Sequence, residues 1–176
     1  RTLHPTHVNR RRALLDEAFA LAPRGVTVDV TAFPPGLALP PTGSPDDEII
    51  ALDAVAAYLD AGLPPERLTV SSDGGGCLPE FNTQGELLRM DFATSGALAD
   101  LVADWCAAGR DLAGLLPALT LNPASLLRLP GKGYVAARAA ADLVVLGEDH
   151  RPRHVMARGR WHVRDGRAVR RGTFER

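Results

Sequence analysis

Two short segments of this 176-residue chain contain charged or metal-binding residue types that could take part in catalysis. The first is centred on Asp73. A largely apolar run over 68–70 continues through Ser71 and Ser72 to Asp73. Three consecutive glycines follow Asp73 and let a ligand approach the backbone closely. An acid at the carboxyl end of a strand is where α/β folds place their catalytic groups. The alternative is that Asp73 only stabilises the turn by hydrogen bonding to the backbone.

His7 and Arg10 lie in the second segment. Pro5 disfavours a helix at the residue before it, so the first residues are predicted to be extended, and a helical pattern begins near Arg11. Imidazole is the commonest metal ligand in proteins, and a guanidinium group matches a carboxylate with two hydrogen bonds. For either residue alone a solvated loop position is the alternative. Their combination with Asp73 favours a metal ligand and an anion-binding arginine.

Alternating strands and helices must position these residues. Apolar residues recur at helical spacing over 11–22 and again in a second stretch that ends at residue 63. Ser44, Pro45 and the acids that follow them are typical of the start of this second helix. Strands are predicted at 26–31 and 68–72, and the proline-rich residues 34–45 are predicted to form a long loop over the site. This order is typical of a parallel α/β unit.

Asp29 lies within the first of these strands, at 26–31. Strict alternation puts its side chain on the face opposite Val28 and Val30. We therefore expect an acid that either points outward or supports the site from behind.

The second half of the chain is predicted to begin with an extended excursion over 78–91. A helix is predicted at 93–108, a short second helix is predicted to begin after Asp111 as its cap, and a third is predicted from Asn122 to Leu127. The helix at 93–108 is expected to turn four apolar residues inward: Leu98, Leu101, Val102 and Trp105. A strand is predicted at 141–146, and three short strands at 155–157, 161–163 and 167–169, the last two joined by an Asp165-Gly166 turn, complete an antiparallel module.

Composition is that of an ordinary globular protein, with 45% apolar residues, 23% charged residues and a net charge of −1. No apolar run approaches the roughly 18 residues needed to cross a bilayer, so we expect a cytoplasmic protein without a membrane partner. Cys77 and Cys106 provide neither a disulfide framework nor a metal-binding spacing. Cys106 is predicted to be a small core residue on a helix face.

Positive charge is concentrated at the end of the chain. Residues 151–176 contain nine arginines and two acids, a net charge of +7 against −8 for the rest. Nucleic-acid binding is one interpretation. The arginines alternate with apolar residues as on the solvent face of a small sheet, so we predict no nucleic-acid partner. The chain also lacks an initiating methionine and starts as if within a strand, which suggests a fragment.

Four motifs together resemble the C-terminal half of an amidohydrolase-superfamily enzyme, and most of all the isoaspartyl (β-aspartyl) dipeptidase family. They are Pro-Thr-His-Val-Asn-Arg at 5–10, Ser-Ser-Asp-Gly at 71–74, Asn-Pro-Ala at 122–124 and Ala-Asp-Leu-Val-Val-Leu at 141–146. The resemblance covers essentially the whole chain. The last two motifs are common to the superfamily, whereas the combination of the first two is more specific.

The resemblance implies an α/β fold in which residues 1–130 are the C-terminal portion of a (β/α)8 barrel and residues 131–176 are part of a small β domain. It implies a binuclear zinc centre with His7 and Asp73 as ligands. Asp73 would also take a proton from the bridging hydroxide, and Arg10 would hold the substrate α-carboxylate. Cys77 stands where the family usually has a serine that contacts substrate.

Other family groups fall outside this sequence: a His-x-His pair, a carboxylated lysine, a further histidine, and the groups that bind the substrate amine and the oxyanion. We therefore expect the intact enzyme to hydrolyse β-aspartyl dipeptides, as a homo-oligomer, and this stretch alone to be inactive. Alternatives are a dihydroorotase-like or N-acyl-amino-acid hydrolase, or a degenerate non-catalytic partner. Arg138 and Ala140 also replace the glycine and aspartate usual in one turn.

Overall fold

A computed structural model describes residues 3–33 and 49–173. The loop predicted over 34–45 and the helix start predicted at Ser44 lie outside these ranges. The helix that follows begins at Ala51, and Ile49 and Ile50 before it are not helical. Within the described residues the helix therefore starts later than its capping pattern predicted.

Two parallel strands, β1 (Val28–Thr31) and β2 (Leu68–Ser71), form the centre of the first part of the chain. Their register places Thr31 directly beside Ser71. Both strands were predicted from β-branched and apolar residues, which suit a strand covered on both faces.

An extended N-terminal segment, residues 3–6, runs along the other side of β1. The amide of Thr27 donates to the carbonyl of Leu3 at 3.3 Å, and the amide of Asp29 donates to the carbonyl of Pro5 at 3.1 Å. Residue numbers rise together on both sides of this ladder, which is the pattern of parallel neighbours. The carboxyl ends of the segment, β1 and β2 therefore lie at one edge.

Helices pack on this unit much as their apolar spacing predicts. The helix Arg12–Leu21 runs on into a 3-10 helix, Ala22–Arg24, which ends where Gly25 takes a left-handed φ of 91°. Asp111 caps the fourth helix, as predicted, by accepting a hydrogen bond from the Ala113 amide at 2.9 Å. The helices are α1 (Arg12–Leu21), α2 (Ala51–Asp60), α3 (Gly96–Ala107), α4 (Leu112–Leu119) and α5 (Leu121–Leu126).

The core lies between these helices and the two strands, and its fully buried members include Leu15, Tyr58, Leu68 and Leu115. Trp105 of α3 is also buried, as expected, and its indole N–H donates to the Asp111 carbonyl at 2.9 Å. Cys106 is only partly buried, in contrast to its predicted place in the core.

All four residues of β1 are buried, including Asp29, so this acid does not point outward. Alternation did separate Asp29 from its apolar neighbours, but the strand has a partner on each side and is covered on both faces. A position opposite the apolar face is therefore interior as well.

Residues 77–92 form an antiparallel hairpin of β3 (Cys77–Phe81) and β4 (Leu87–Phe92), where the sequence predicted only an extended excursion. The C-terminal module has the predicted antiparallel sheet, in the order β5 (Leu143–Leu146), β6 (Pro152–Ala157), β7 (Arg160–Arg164) and β8 (Arg167–Ala168). The predicted turn joins β7 to β8, with positive φ at both Asp165 and Gly166. No helix among the described residues is long and apolar enough to span a membrane.

Candidate active site

The candidate site lies at the edge where the N-terminal segment, β1 and β2 end. His7 directly follows the segment, Thr31 ends β1, and Asp73 comes two residues after the end of β2. The sequence predicted that the histidine and the aspartate lie at strand ends. Both are at the same edge of the parallel unit, with β1 between the elements that carry them.

His7 adopts a left-handed backbone conformation with φ of 57°. Its Nδ1 lies 2.8 Å from the hydroxyl of Thr31, and its ring stacks on Phe33 with 5.7 Å between ring centroids. Left-handed φ is uncommon outside glycine and is found most often where function or tertiary contacts require it. With Nδ1 occupied, Nε2 is the nitrogen left to bind a ligand.

Arg10 uses the same aromatic ring. Its guanidinium carbon lies 4.9 Å from the centroid of Phe33. The Arg10 Nε atom is buried and has no hydrogen-bond partner among residues 3–33 and 49–173. An unpaired buried N–H costs roughly 1–3 kcal/mol, so this group favours an acceptor such as a carboxylate. Phe33 thus aligns the imidazole and the guanidinium, a role that the sequence analysis missed.

Asp73 also has a positive φ, of 51°, and begins the glycine turn. Its carbonyl accepts a hydrogen bond from the Gly76 amide at 2.7 Å. A Cβ on Gly76 would fall 2.7 Å from Oδ2 of Asp73, so only glycine leaves room for this carboxylate. The Gly75 amide in turn donates to the Ala93 carbonyl at 2.9 Å, which ties the turn to the segment after β4. The turn therefore fixes the position of the acid.

Asp29 is 3% exposed and lies behind this edge. Its two carboxylate oxygens accept hydrogen bonds from the hydroxyls of Thr69 at 2.8 Å and Ser71 at 2.6 Å. Burial raises the pKa of Asp29, while these two hydrogen bonds and the nearby His4 and His7 act in the opposite direction. The sequence offered no means of finding its partners, because they depend on strand register.

Asn9 holds the short 3-10 helix Val8–Arg10 against the end of β1. Its side chain donates to the carbonyls of Thr31 and Ile49, at 3.0 and 2.9 Å, and accepts from the Thr31 amide at 2.9 Å. Asn9 is 1% exposed, so these bonds form away from water. The motif that contains His7 and Arg10 is thereby anchored to the strand on which the site is built.

Cys77, the remaining candidate, is exposed at the start of β3. Its thiol is a weaker hydrogen-bond donor than a serine hydroxyl. No group of three or more His, Cys, Asp or Glu side chains able to hold a metal ion is found in the described parts of the chain. His7 and Asp73 therefore represent at most part of a ligand set.

Solved structures, and not a protein-family model, show what this chain is similar to. No protein-family model matches the sequence. Among solved structures, the β-aspartyl dipeptidase of Fervidobacterium islandicum AW-1 in complex with β-Asp-Leu is similar, with 30% identity over 97% of this chain and a TM-score of 0.81. The chain resembles the C-terminal region of amidohydrolases. Its α/β fold is of the same kind.

Two further solved structures are similar to the chain. Another structure of the Fervidobacterium islandicum AW-1 β-aspartyl dipeptidase has 27% identity over 97% of this chain and a TM-score of 0.74. A D-hydantoinase from a Thermus species has 21% identity over 96% of the chain and a TM-score of 0.62, and shows the shared fold alone. The chain spans 42%, 40% and 46% of these three proteins, respectively. Hydrolases of the amidohydrolase superfamily are therefore its structural relatives.

Proposed function

We propose that the intact protein hydrolyses the isopeptide bond of β-aspartyl dipeptides at a binuclear zinc site. The observation that carries this proposal is the likeness, over nearly the whole chain, to a dipeptidase solved with β-Asp-Leu. Three residues whose types and spacing predicted a role, His7, Arg10 and Asp73, lie at or just beyond the carboxyl-end edge of one parallel unit. We further propose that residues 1–130 belong to a (β/α)8 barrel and residues 131–176 to a small β domain.

The residues present suit a share of such a metal site. His7 keeps Nε2 available because Nδ1 is bonded to Thr31, and the glycine turn places the Asp73 carboxylate at the same edge. Zinc in a site of this kind supplies a hydroxide at neutral pH and polarises the scissile carbonyl. Its remaining ligands would come from residues outside this sequence, so we propose that these 176 residues alone are inactive.

Asp73 would act as the general base and acid. A carboxylate at this edge can accept the proton of the attacking water and return it to the leaving amine. Both proton positions must lie within hydrogen-bond reach of one side chain, and the turn that packs Gly76 against Asp73 restricts the movement of that carboxylate. Replacing Asp73 by asparagine should lower kcat about 10²–10⁴-fold.

Arg10 would select the substrate. A β-aspartyl dipeptide keeps a free α-carboxylate on its aspartyl residue. A guanidinium group whose buried Nε has no partner among the residues that the structure describes is suited to bind it. An N-acyl amino acid or a cyclic imide lacks a carboxylate at that position. Substrate choice among amidohydrolase reactions therefore depends on this contact.

The test uses the intact protein, Arg10→Ala and the control Arg24→Ala, an exposed arginine. We expect kcat/KM for β-Asp-Leu to fall about 10–100-fold in Arg10→Ala and to stay unchanged in the control. With the aspartyl α-carboxylate converted to an amide, wild type and Arg10→Ala should become equal. Turnover of N-acyl amino acids or cyclic imides without turnover of the dipeptide would contradict the proposal in favour of another amidohydrolase.

Metal analysis of the same intact protein separates an enzyme from a degenerate partner. The proposal expects two equivalents of zinc per subunit, with loss of dipeptide hydrolysis on chelation and recovery on zinc addition. A protein that binds no metal and turns over none of these amides would instead be a non-catalytic partner. We also propose a homo-oligomer, which the molar mass in solution would test.

A further inference from the structure

A chain of hydroxyl groups links the buried Asp29 to His7. The Ser71 hydroxyl lies 2.6 Å from Oδ2 of Asp29, the Thr31 hydroxyl lies 3.4 Å from that of Ser71, and Nδ1 of His7 lies 2.8 Å from the Thr31 hydroxyl. We call Thr31 and Ser71 the hydroxyl relay. The relay crosses from β2 to β1 through the registered pair at the ends of the two strands, and Thr31 contacts His7, which follows the N-terminal segment.

Proton counting gives this relay a direction. An ionised carboxylate only accepts hydrogen bonds, so the single hydroxyl proton of Ser71 is committed to Asp29. Across the 3.4 Å contact Ser71 can then only accept, so this contact is a hydrogen bond when the Thr31 hydroxyl points its single proton at Ser71. In that arrangement the Thr31 oxygen accepts from His7, and Nδ1 of His7 carries a proton.

The other carboxylate oxygen of Asp29, Oδ1, is linked to a second histidine, His4, which can be compared with His7. The Thr69 hydroxyl donates to Oδ1 at 2.8 Å, and Nε2 of His4 lies 3.0 Å from that hydroxyl. The same counting therefore requires a proton on Nε2 of His4. One carboxylate thus sets two histidines in opposite tautomers, and only His7 is left with a free lone pair on Nε2.

We propose that Asp29 is a positioning residue that, through the hydroxyl relay, holds His7 in the tautomer able to ligate a metal with Nε2. The inference rests on the proposed function, since it presumes a metal at His7. A neutral imidazole binds metal only through its unprotonated nitrogen, and the hydrogen bond at the other nitrogen determines which one that is. Asp29 provides an ionised carboxylate, which can only accept hydrogen bonds.

A purely structural role for Asp29 makes a different prediction. If the carboxylate only satisfied two buried hydroxyls, asparagine in the same space would satisfy one of them as acceptor and the other as donor, and His7 would not respond. On our proposal the direction of the hydrogen bonds matters. Ser71→Ala cuts the connection to His7 alone, whereas Thr69→Val cuts the connection to His4 alone and is the matched control.

The experiment measures the tautomer of His7 by nitrogen NMR of the intact, metal-free protein labelled at histidine. We expect protonated Nδ1 in wild type and in Thr69→Val, and a mixture of tautomers in Ser71→Ala, with recovery in Ser71→Thr. Competition with a chelator should show zinc affinity about 10–100-fold weaker in Ser71→Ala than in Thr69→Val. Asp29→Asn with its NH2 group facing Ser71 can no longer accept the Ser71 proton, and should behave as Ser71→Ala does.

Two results would overturn the proposal: protonated Nε2 at His7 in the metal-free wild type, or an unchanged tautomer and zinc affinity in Ser71→Ala. If Ser71→Ala does not fold, Thr31→Val interrupts the same relay one step nearer to His7 and replaces it. The tautomer is read without metal or substrate. A protein that fails to hydrolyse β-Asp-Leu but shows the predicted tautomers would therefore refute the proposed function and leave the role of Asp29 intact.

Discussion

The strand-end region around β1 and β2 and the β3–β4 hairpin form similar bonds in opposite surroundings. The side chains of Asn9 in the first region and Asn82 in the second each make three hydrogen bonds. Those of Asn9 are buried, whereas those of Asn82 are open to solvent. Water can replace the second set but not the first, so the same bonding stabilises the two regions by different amounts.

The apolar side chains of the two regions also differ in how deeply they are buried. Leu68 of β2 is fully buried, and Leu88 of β4 is 62% exposed. Phe81, Leu87, Met90 and Phe92 of the hairpin are also exposed, while every residue of β1 is buried. The packing of the strand-end region therefore explains where the site residues lie. The hairpin is tied to the glycine turn by the two hydrogen bonds that Ala93, the residue after β4, forms with Gly75 and Gly76.

The largest expected effect comes from shortening the two leucines in the intact protein. Leu68→Ala should lower the free energy of unfolding by about 3–4 kcal/mol, because it removes buried apolar surface and leaves a cavity. Leu88→Ala should change it by less than about 0.5 kcal/mol. Urea denaturation measures both. Equal losses would mean that the hairpin is covered as thoroughly as β2 in the intact protein, which would remove the contrast between the regions.

The second largest expected effect comes from replacing Asn9 or Asn82 with alanine. Asn9→Ala removes the described partners of the Thr31 amide and the Ile49 carbonyl in a buried place, while the Thr31 carbonyl keeps the Phe33 amide as a donor. The change should cost on the order of 3 kcal/mol. Asn82→Ala should cost about 1 kcal/mol or less, since water takes over its bonds. The same denaturation measurement applies. A cost for Asn82→Ala as large as that for Asn9→Ala would show that solvent competition does not distinguish the two sets of hydrogen bonds.

Much of this arrangement was predictable from local sequence. Residues 68–72 gave β2, Asp111 gave a helix cap, and the Asp165-Gly166 turn gave the C-terminal hairpin. Each depends on the chemistry of a few neighbouring residues. The start of α2 at Ala51 was not predicted, because a capping pattern marks where a helix can begin and tertiary packing decides where it does.

The candidate site was predictable only in part. His7, Arg10 and Asp73 were found because their types and positions after strands are informative. Phe33 and the hydroxyl relay were not found, since a phenylalanine, a threonine and a serine are common in any strand. Their roles arise from the register that sets Thr31 beside Ser71, and a single sequence does not contain that register.

The smallest expected effect compares two aspartates with opposite pKa changes. Burial raises the pKa of Asp29, whereas the hydrogen bond and charge of Arg110 lower the pKa of the exposed Asp60. A raised pKa means that the folded state binds the proton more tightly. Its contribution to stability is therefore present below the ordinary value of 3.8 and lost as pH rises through the raised pKa. For Asp60 the contribution is present above 3.8 and lost as pH falls through the lowered pKa.

Comparison of wild type with Asp29→Asn and with Asp60→Asn in the metal-free intact protein should reveal both signs. As pH rises from about 3 to 7, the stability of wild type relative to Asp29→Asn should fall, and that relative to Asp60→Asn should rise. About 1 M salt should flatten the second slope, because the Asp60–Arg110 pair is exposed, and should leave the first in place. Slopes of the same sign would mean that the Asp29 carboxylate is stabilised by its two hydroxyl partners more than it is destabilised by burial, and the strand-end region would then differ from the surface in degree only.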